Sequence, residues 1–238
     1  MKQIQMCYGQ VNTYLFVLKI NGNYGTVNPF PEIFGDKITN EEELLQFALE
    51  SGKQINSKGI LSNRCQIAFW LGRYEEAAEL SEKAKPLPKM SFMEVYHIFC
   101  DGLTAFQLAR LSSASNTSKW MALGEEATAR FRFYEQCSTW NWENNLFLLE
   151  AECHRCNLEE DKAKAKYEAS IKSAQDHRFV HEEGLALEFY GDFLLSIRKT
   201  EEAKEMYGCA RVCYEKWGAN AIISRIEEKI GRAAPTAS

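Results

Sequence analysis

One short phrase recurs along this chain at near-regular intervals, and it constrains the fold more than any other feature. In each copy acidic residues precede an alanine, and small or aromatic residues follow four and seven positions later. The copies are Glu75-Glu76-Ala77 with Ser81 and Ala84, Glu160-Asp161-Lys162-Ala163 with Tyr167 and Ser170, and Glu201-Glu202-Ala203 with Tyr207 and Ala210. The step from Ala163 to Ala203 is about 40 residues, the length of one helix-pair repeat, and the step from Ala77 to Ala163 is close to twice as long. An intervening unit is therefore expected, and Gly124-Glu125-Glu126-Ala127 supplies it. Steps of four and three return to one face of an α-helix. Alanine on that face lets two helix backbones approach, and tyrosine fills the adjacent groove. A period of this length marks stacked helix pairs, none of which buries its apolar face alone.

The last copy carries the stripe furthest, through Ala203, Tyr207, Ala210, Tyr214 and Trp217. A first helix is predicted before each copy, at Gln54 to Leu71, Ser91 to Arg110, Trp142 to Cys156 and Glu182 to Ile197. Leu185 to Ile197 is apolar nearly all round apart from Glu188 and Asp192, so this helix must be covered on several sides. Thr39 or Asn40 before Glu41, Glu42 and Glu43 reads as a helix start, and Ser91 with Glu94 as a capping box. Gly72 makes one turn, Pro86 and Pro88 break two repeats apart, and Gly218 stops the last long helix before a closing one at Ala219 to Ile230. No proline falls between Lys89 and Ala234, so the turns there rest on glycine, asparagine and charged residues. The expected fold is all-α, a solenoid of about four or five antiparallel helix pairs. It divides into an amphipathic N-terminal helix at 1–20, a Gly- and Pro-rich loop at 21–39, the repeat domain at 40–231 and a frayed tail at 232–238.

The phrase G-x-Y-x-x-A, with alanine seven residues on, resembles the tetratricopeptide repeat over about Asn40 to Ile230. A closer likeness lies in Ala174, His177, Phe179, Glu182, Glu183, Ala186 and Glu188, followed by Ala203, Tyr207, Ala210, Tyr214 and Trp217-Gly218-Ala219. This run looks like the helical-repeat region of large multidomain signalling proteins. In that family a predicted STAND-type ATPase, often behind a serine/threonine kinase domain, precedes the repeats, and sensor and histidine-kinase domains may follow them. The Asn28-Pro29-Phe30 loop fits the same pattern. Gly184 departs from it, standing where alanine is usual, and Ile222 and Ile223 occupy the region where a lysine is common. The resemblance implies a detached or fragmentary repeat module, since no kinase or ATPase sequence accompanies it.

Composition excludes several other functions. The 238 residues carry 28 basic and 33 acidic side chains, a net charge of -5, with no basic block of the kind nucleic acid requires. Lys162, Lys164 and Lys166 sit beside Glu159, Glu160, Asp161 and Glu168 and read as a solvated helix face. Mean hydropathy is -0.37, and no apolar run approaches a membrane span. Met1 to Met6 have no secretory character, so a cytoplasmic location with eight free thiols is expected. The chain lacks a P-loop, since Ser51-Gly52-Lys53 has no leading glycine, and it lacks a G-x-S-x-G elbow and an H-R-D loop.

Four groups remain as chemical candidates. Cys153 and Cys156 could supply two zinc thiolates, but they continue the apolar stripe of Leu146 and Leu149 and read as packed cysteines. Cys209 and Cys213 share a helix face beside Met206 and Trp217. His177 and His181 are four apart before Glu182 and Glu183, the most site-like arrangement, yet they should straddle a turn between repeats. Trp140, Trp142, Phe131, Phe133 and Tyr134 could line a ligand pocket or fill a core between repeats. No catalytic, cofactor-binding or metal-binding residue is assigned. The expectation is a non-catalytic interaction or regulatory module binding a protein or peptide partner, an adjoining kinase or ATPase domain, or a small effector in its groove. The alternatives are a metal sensor or metal-dependent enzyme on His177 and His181, and a spacer with no ligand.

Overall fold

The computed structural model describes residues 15–17, 19–22, 40–50, 54–87, 91–112 and 114–233. Among these residues every regular element is a helix. Residues 15–17 and 19–20 are helical, and ten longer helices follow: α1 (Glu41–Glu50), α2 (Gln54–Trp70), α3 (Tyr74–Ala84), α4 (Phe92–Leu111), α5 (Ala114–Cys137), α6 (Thr139–Cys156), α7 (Glu160–His177), α8 (Val180–Ser196), α9 (Thr200–Trp217) and α10 (Asn220–Arg232). Most of the predicted N-terminal helix and 21–39 loop, the Ser51-Gly52-Lys53 segment, Pro88 and the end of the tail lie outside the described residues.

The chain forms two compact units, Met1–His97 and Ile98–Ser238, and the boundary falls within α4. In the first unit α1 packs on α2 and α2 on α3. In the second, each of α5 to α9 packs on the helix that follows it, and α6 also touches α8 across α7. Helices packed in adjacent pairs are the arrangement of an all-α helical-repeat solenoid.

Five of the turns are built the same way. Gly72, Leu158, Arg178, Arg198 and Gly218 have left-handed backbones, with φ of 75°, 60°, 63°, 64° and 77°. The next residue in each case donates its N–H to the carbonyl five residues back. Arg73 bonds Ala68 at 2.8 Å, while Glu159 bonds His154, Phe179 bonds Ala174, Lys199 bonds Leu194 and Ala219 bonds Tyr214, each at 2.9 Å. This pairing satisfies carbonyls that a helix end leaves free, and the following helix begins at once. The last four of these residues, Leu158, Arg178, Arg198 and Gly218, are evenly spaced along the chain. One helix with its turn is therefore a constant unit of length, and two such units reproduce the step from Ala163 to Ala203.

The recurring phrase occupies equivalent buried positions. Ala77, Ala163 and Ala203 are wholly buried, as are Tyr167, Tyr207, Ala84 and Ala210, and Ser81 and Ser170 nearly so. Ala127, Phe131 and Tyr134 repeat the steps in α5, as the intervening unit requires. There Glu125 and Glu126 lie mid-helix instead of in the first turn, because α5 begins at Ala114. Gly124 does not turn the chain either: a Cβ on it would stand 2.5 Å from the Phe106 ring, so the glycine makes room on α5 for that ring of α4. The same logic explains Gly184 and Gly191 in α8, where a Cβ would meet the Tyr214 ring at 2.9 Å and the Tyr207 ring at 2.6 Å. Residues 184 to 191 of α8 are all buried, together with Phe193 and Leu194, as the apolar run requires.

Asn40 caps α1 by accepting the Glu43 N–H at 2.9 Å, and Ser91 accepts the Glu94 N–H at 3.1 Å. Helix α6 starts three residues before the predicted Trp142, and α8 two before Glu182. The closing helix α10 buries Ile222 and Ile226 and turns Asn220, Ser224, Glu227 and Glu228 outward.

Candidate functional site

The second unit holds its helices together through buried carboxylates. Glu152 on α6 is fully buried. It accepts a hydrogen bond from the Tyr167 hydroxyl of α7 and lies 2.6 Å from the Arg110 guanidinium of α4. Burial alone would raise its pKa, but Arg110 and Arg155 outweigh burial and hold the carboxyl below its ordinary value. Burial and the adjacent carboxylate push the Tyr167 hydroxyl well up, so it stays protonated and donates.

The arrangement returns one helix pair later. Asp192 on α8 accepts from the Tyr207 hydroxyl of α9 at 2.7 Å, and Lys229 of α10 stands 2.7 Å from it. In both copies the carboxylate precedes its tyrosine by 15 residues. One turn before Asp192, the fully buried Glu188 accepts from Tyr214 at 2.8 Å and from Arg225 and Lys229 of α10, each at 2.9 Å. Burial pushes this carboxyl up as well, yet Arg225 and Lys229 bring it down to about 2. A third buried carboxylate, Glu182 on α8, accepts from Asn144 at 2.7 Å and Asn145 at 3.1 Å, joining α8 directly to α6.

The sequence-suspected thiols and imidazoles do not converge on a common ligand. Cys156 accepts from Arg110 at 3.3 Å and is half-buried, while Cys153 accepts from Asn157 at 3.7 Å. Burial raises both thiols, Cys153 to about 11, which opposes the thiolate that a metal needs. Cys213 is buried and pushed up to about 12, chiefly by burial and then by Glu183, whereas Cys209 is exposed. His177 ends α7 and His181 lies in the first turn of α8, on opposite sides of the left-handed Arg178. The His177 ring is tilted at 40° against Trp140, 4.2 Å between centroids, and the His181 ring lies 5.3 Å from Trp217. Burial lowers the His181 pKa against the pull of Glu182. Among the described residues no group of three or more His, Cys, Asp or Glu is placed to hold a metal ion.

The aromatic cluster divides. Phe131 and Tyr134 are buried core between helices, and the half-buried Trp142 meets the Phe131 ring edge-on at 6.0 Å at the margin of that core. Phe133 and Trp140 face solvent at 54% and 61% exposure.

Sequence reasoning passed over the strongest polar arrangement of the first unit. His97 on α4 is buried, with Nδ1 3.0 Å from the Ser62 hydroxyl of α2 and Nε2 3.0 Å from the Ser81 hydroxyl of α3. A serine–histidine pair is a nucleophile–base combination, but all three residues are 1% exposed, so here the imidazole pins three helices together. Ser81 occupies the place in its repeat that Tyr167 and Tyr207 occupy in theirs, and it too bonds a polar group on a first helix. Its position in the repeat was the available signal.

Two surface pockets lie among the described residues. In the first unit a cavity of about 360 Å³ is lined by Lys19, Arg64 and Arg73 facing Glu41, Glu42 and Glu76. Its charges pair off, Lys19 with Glu41 at 2.5 Å, Arg64 with Glu42 at 3.0 Å and Arg73 with Glu76 at 2.9 Å. In the second unit a cavity of about 330 Å³ lies among α5, α6 and α7, over Leu146 and Phe147. At one side Glu150 takes two bonds from Arg132, at 3.1 and 3.2 Å, and one contact from Lys166 at 2.7 Å. Burial raises the Glu150 pKa, but Lys166 and Arg132 together carry it below its ordinary value.

No protein-family model matches the chain, and no curated protein matches it. Among the described residues no helix is long and apolar enough to cross a membrane.

Proposed function

We propose that this chain is a non-catalytic interaction module, a tetratricopeptide-like repeat segment of a larger signalling kinase or ATPase. It holds a protein or peptide partner, or an adjoining domain, against the layer formed by its first helices. The observation that carries this reading is the recurrence itself. From Leu158 to Gly218 the same left-handed turn returns at a fixed interval, once per helix, and the same carboxylate–tyrosine pair returns from α6–α7 to α8–α9. A chain that spends its buried carboxylates, tyrosines and histidine on joining equivalent helices builds a surface by repetition, which serves binding along its length. The contact of α6 with α8 supports a layer of first helices within the second unit. The resemblance of the His177 to Ala219 run to repeat regions of signalling proteins supports the larger context.

Cross-linking of the full chain in a native extract, read by mass spectrometry, tests the proposal. The expected result is a reproducible partner whose cross-links concentrate on exposed residues of α4, α6 and α8. Cross-links no more abundant than those of a scrambled-sequence control, or spread evenly over all helices, overturn it.

A further inference from the structure

The cavity over Leu146 and Phe147 is polarised along α6. Glu150 marks one end, where it fixes Arg132 and Lys166, so that end carries one net positive charge. Lys166 is held a second time, with its ammonium 4.7 Å over the Phe147 ring. Glu143, in the second turn of α6 after Ser138, marks the other end, and Glu135, in the last turn of α5 before Ser138, lines the cavity there too. Ser173 donates to one oxygen of Glu143 at 2.9 Å, which orients the carboxylate and leaves its second oxygen able to accept. The acidic end therefore carries two negative charges. Glu143 and Glu150 are seven residues apart, about 10 Å along the helix at 1.5 Å per residue. Between the ends Leu146 and Phe147 supply the apolar floor, and Gln136 of α5 adds a polar side chain to the lining.

A ligand that complements this cavity has a carboxylate at one end, a cationic group at the other, and an aliphatic chain of matching length between them. We infer that the cavity binds a cationic amino acid, arginine or lysine, through its carboxylate and its side-chain cation. The carboxylate meets Arg132 and Lys166, which Glu150 holds in place before the ligand arrives. The methylene chain lies on Leu146 and Phe147, and the side-chain cation reaches Glu143 and Glu135. The terminal residue of a peptide ending in arginine or lysine presents the same carboxylate, chain and cation.

Calorimetric titration of the full chain with L-arginine and L-lysine tests this, with agmatine lacking the carboxylate and L-citrulline lacking the cation. Binding of arginine or lysine is expected, with agmatine and citrulline each weaker by about tenfold or more. A Glu135→Gln, Glu143→Gln double variant should keep its circular dichroism and lose affinity for arginine by a similar factor. A peptide ending in arginine that binds more tightly than the free amino acid, and loses that advantage on C-terminal amidation, identifies a chain end as the ligand and supports the same chemistry. The inference is overturned by absence of binding at about 10 mM of every one of these ligands. It is overturned equally by agmatine or citrulline binding as well as arginine, or by an unaltered affinity in the double variant. Failure here leaves the interaction-module proposal standing, because that proposal is read from cross-links to protein.

Discussion

Replacing Glu188 by glutamine removes the charge on which Arg225 and Lys229 of α10 converge while keeping nearly the same shape. The wild-type carboxyl is fully buried and titrates at about 2, against an ordinary value of 4.5. A depression of that size corresponds to about 3 kcal/mol of stability. Losing one partner of a buried ion pair costs about 3–5 kcal/mol. Arg225 and Lys229 keep 21% and 22% of their side-chain surface and regain water, so the lower figure applies. For a domain of this size about 3 kcal/mol lowers the melting temperature by roughly 6–12 °C. The sign of the pH dependence follows from the direction of the shift. A carboxyl depressed in the folded state stabilises fully above its unfolded pKa, and that contribution fades as the pH falls from 4.5 toward 2. The gap between wild type and variant should be widest at pH 7 and close in that window. Urea unfolding from pH 7 to pH 2.5, with hydrogen exchange at the Ile222 and Ile226 amides of α10, measures both quantities. A gap below about 1 kcal/mol at neutral pH, or one that does not change with pH, refutes the account of Glu188 as an ionised pin.

Two further pairs of substitutions probe the backbone and the packing. Arg198→Gly relieves a left-handed side-chain residue and should stabilise by about 0.5–1 kcal/mol, whereas Gly218→Ala at the equivalent turn should cost about 1 kcal/mol; thermal melts that move in the opposite directions count against the shared turn. Gly191→Ala places a Cβ 2.6 Å from the Tyr207 ring and should cost about 1–3 kcal/mol, while Gly208→Ala, with nothing within 4 Å, should gain up to about 1 kcal/mol. Equal effects at the two glycines, measured by chemical denaturation, would show that α8 and α9 are not packed this closely.

The helical repeats were legible because their signal is local and periodic. Ala163, Tyr167 and Ser170 recur as Ala203, Tyr207 and Ala210, and burial follows those steps. Helix starts were less legible. Glu159, Phe179, Lys199 and Ala219 precede their helices with no side-chain cap, and the turn relies on a backbone shape that leucine and arginine adopt as well as glycine does here. The cavity of the second unit could not be read in advance, since Arg132, Glu150 and Lys166 lie on three helices and nothing in their spacing brings them together. Glu188 and Asp192 were visible as charges in an apolar run, but their partners are 26 to 41 residues away for Glu188 and 15 to 37 for Asp192. The suspected histidines failed as a pair for a reason of geometry. Residues four positions apart share a face only inside one helix, and Arg178 breaks the helix between His177 and His181.

Equal spacing has a consequence for editing the chain. Leu158 and Arg198 hold the same backbone shape at the same point of the repeat, so excising residues 159–198 would join Leu158 to Lys199 across an equivalent junction. Glu152 would then stand 15 positions before Tyr207, the separation it now keeps from Tyr167, and would inherit the place of Asp192 opposite Lys229. Leu148 would inherit the place of Glu188, leaving Arg225 opposite a hydrocarbon. The copies are thus interchangeable as lengths of backbone, while their charges tie each one to its own neighbours.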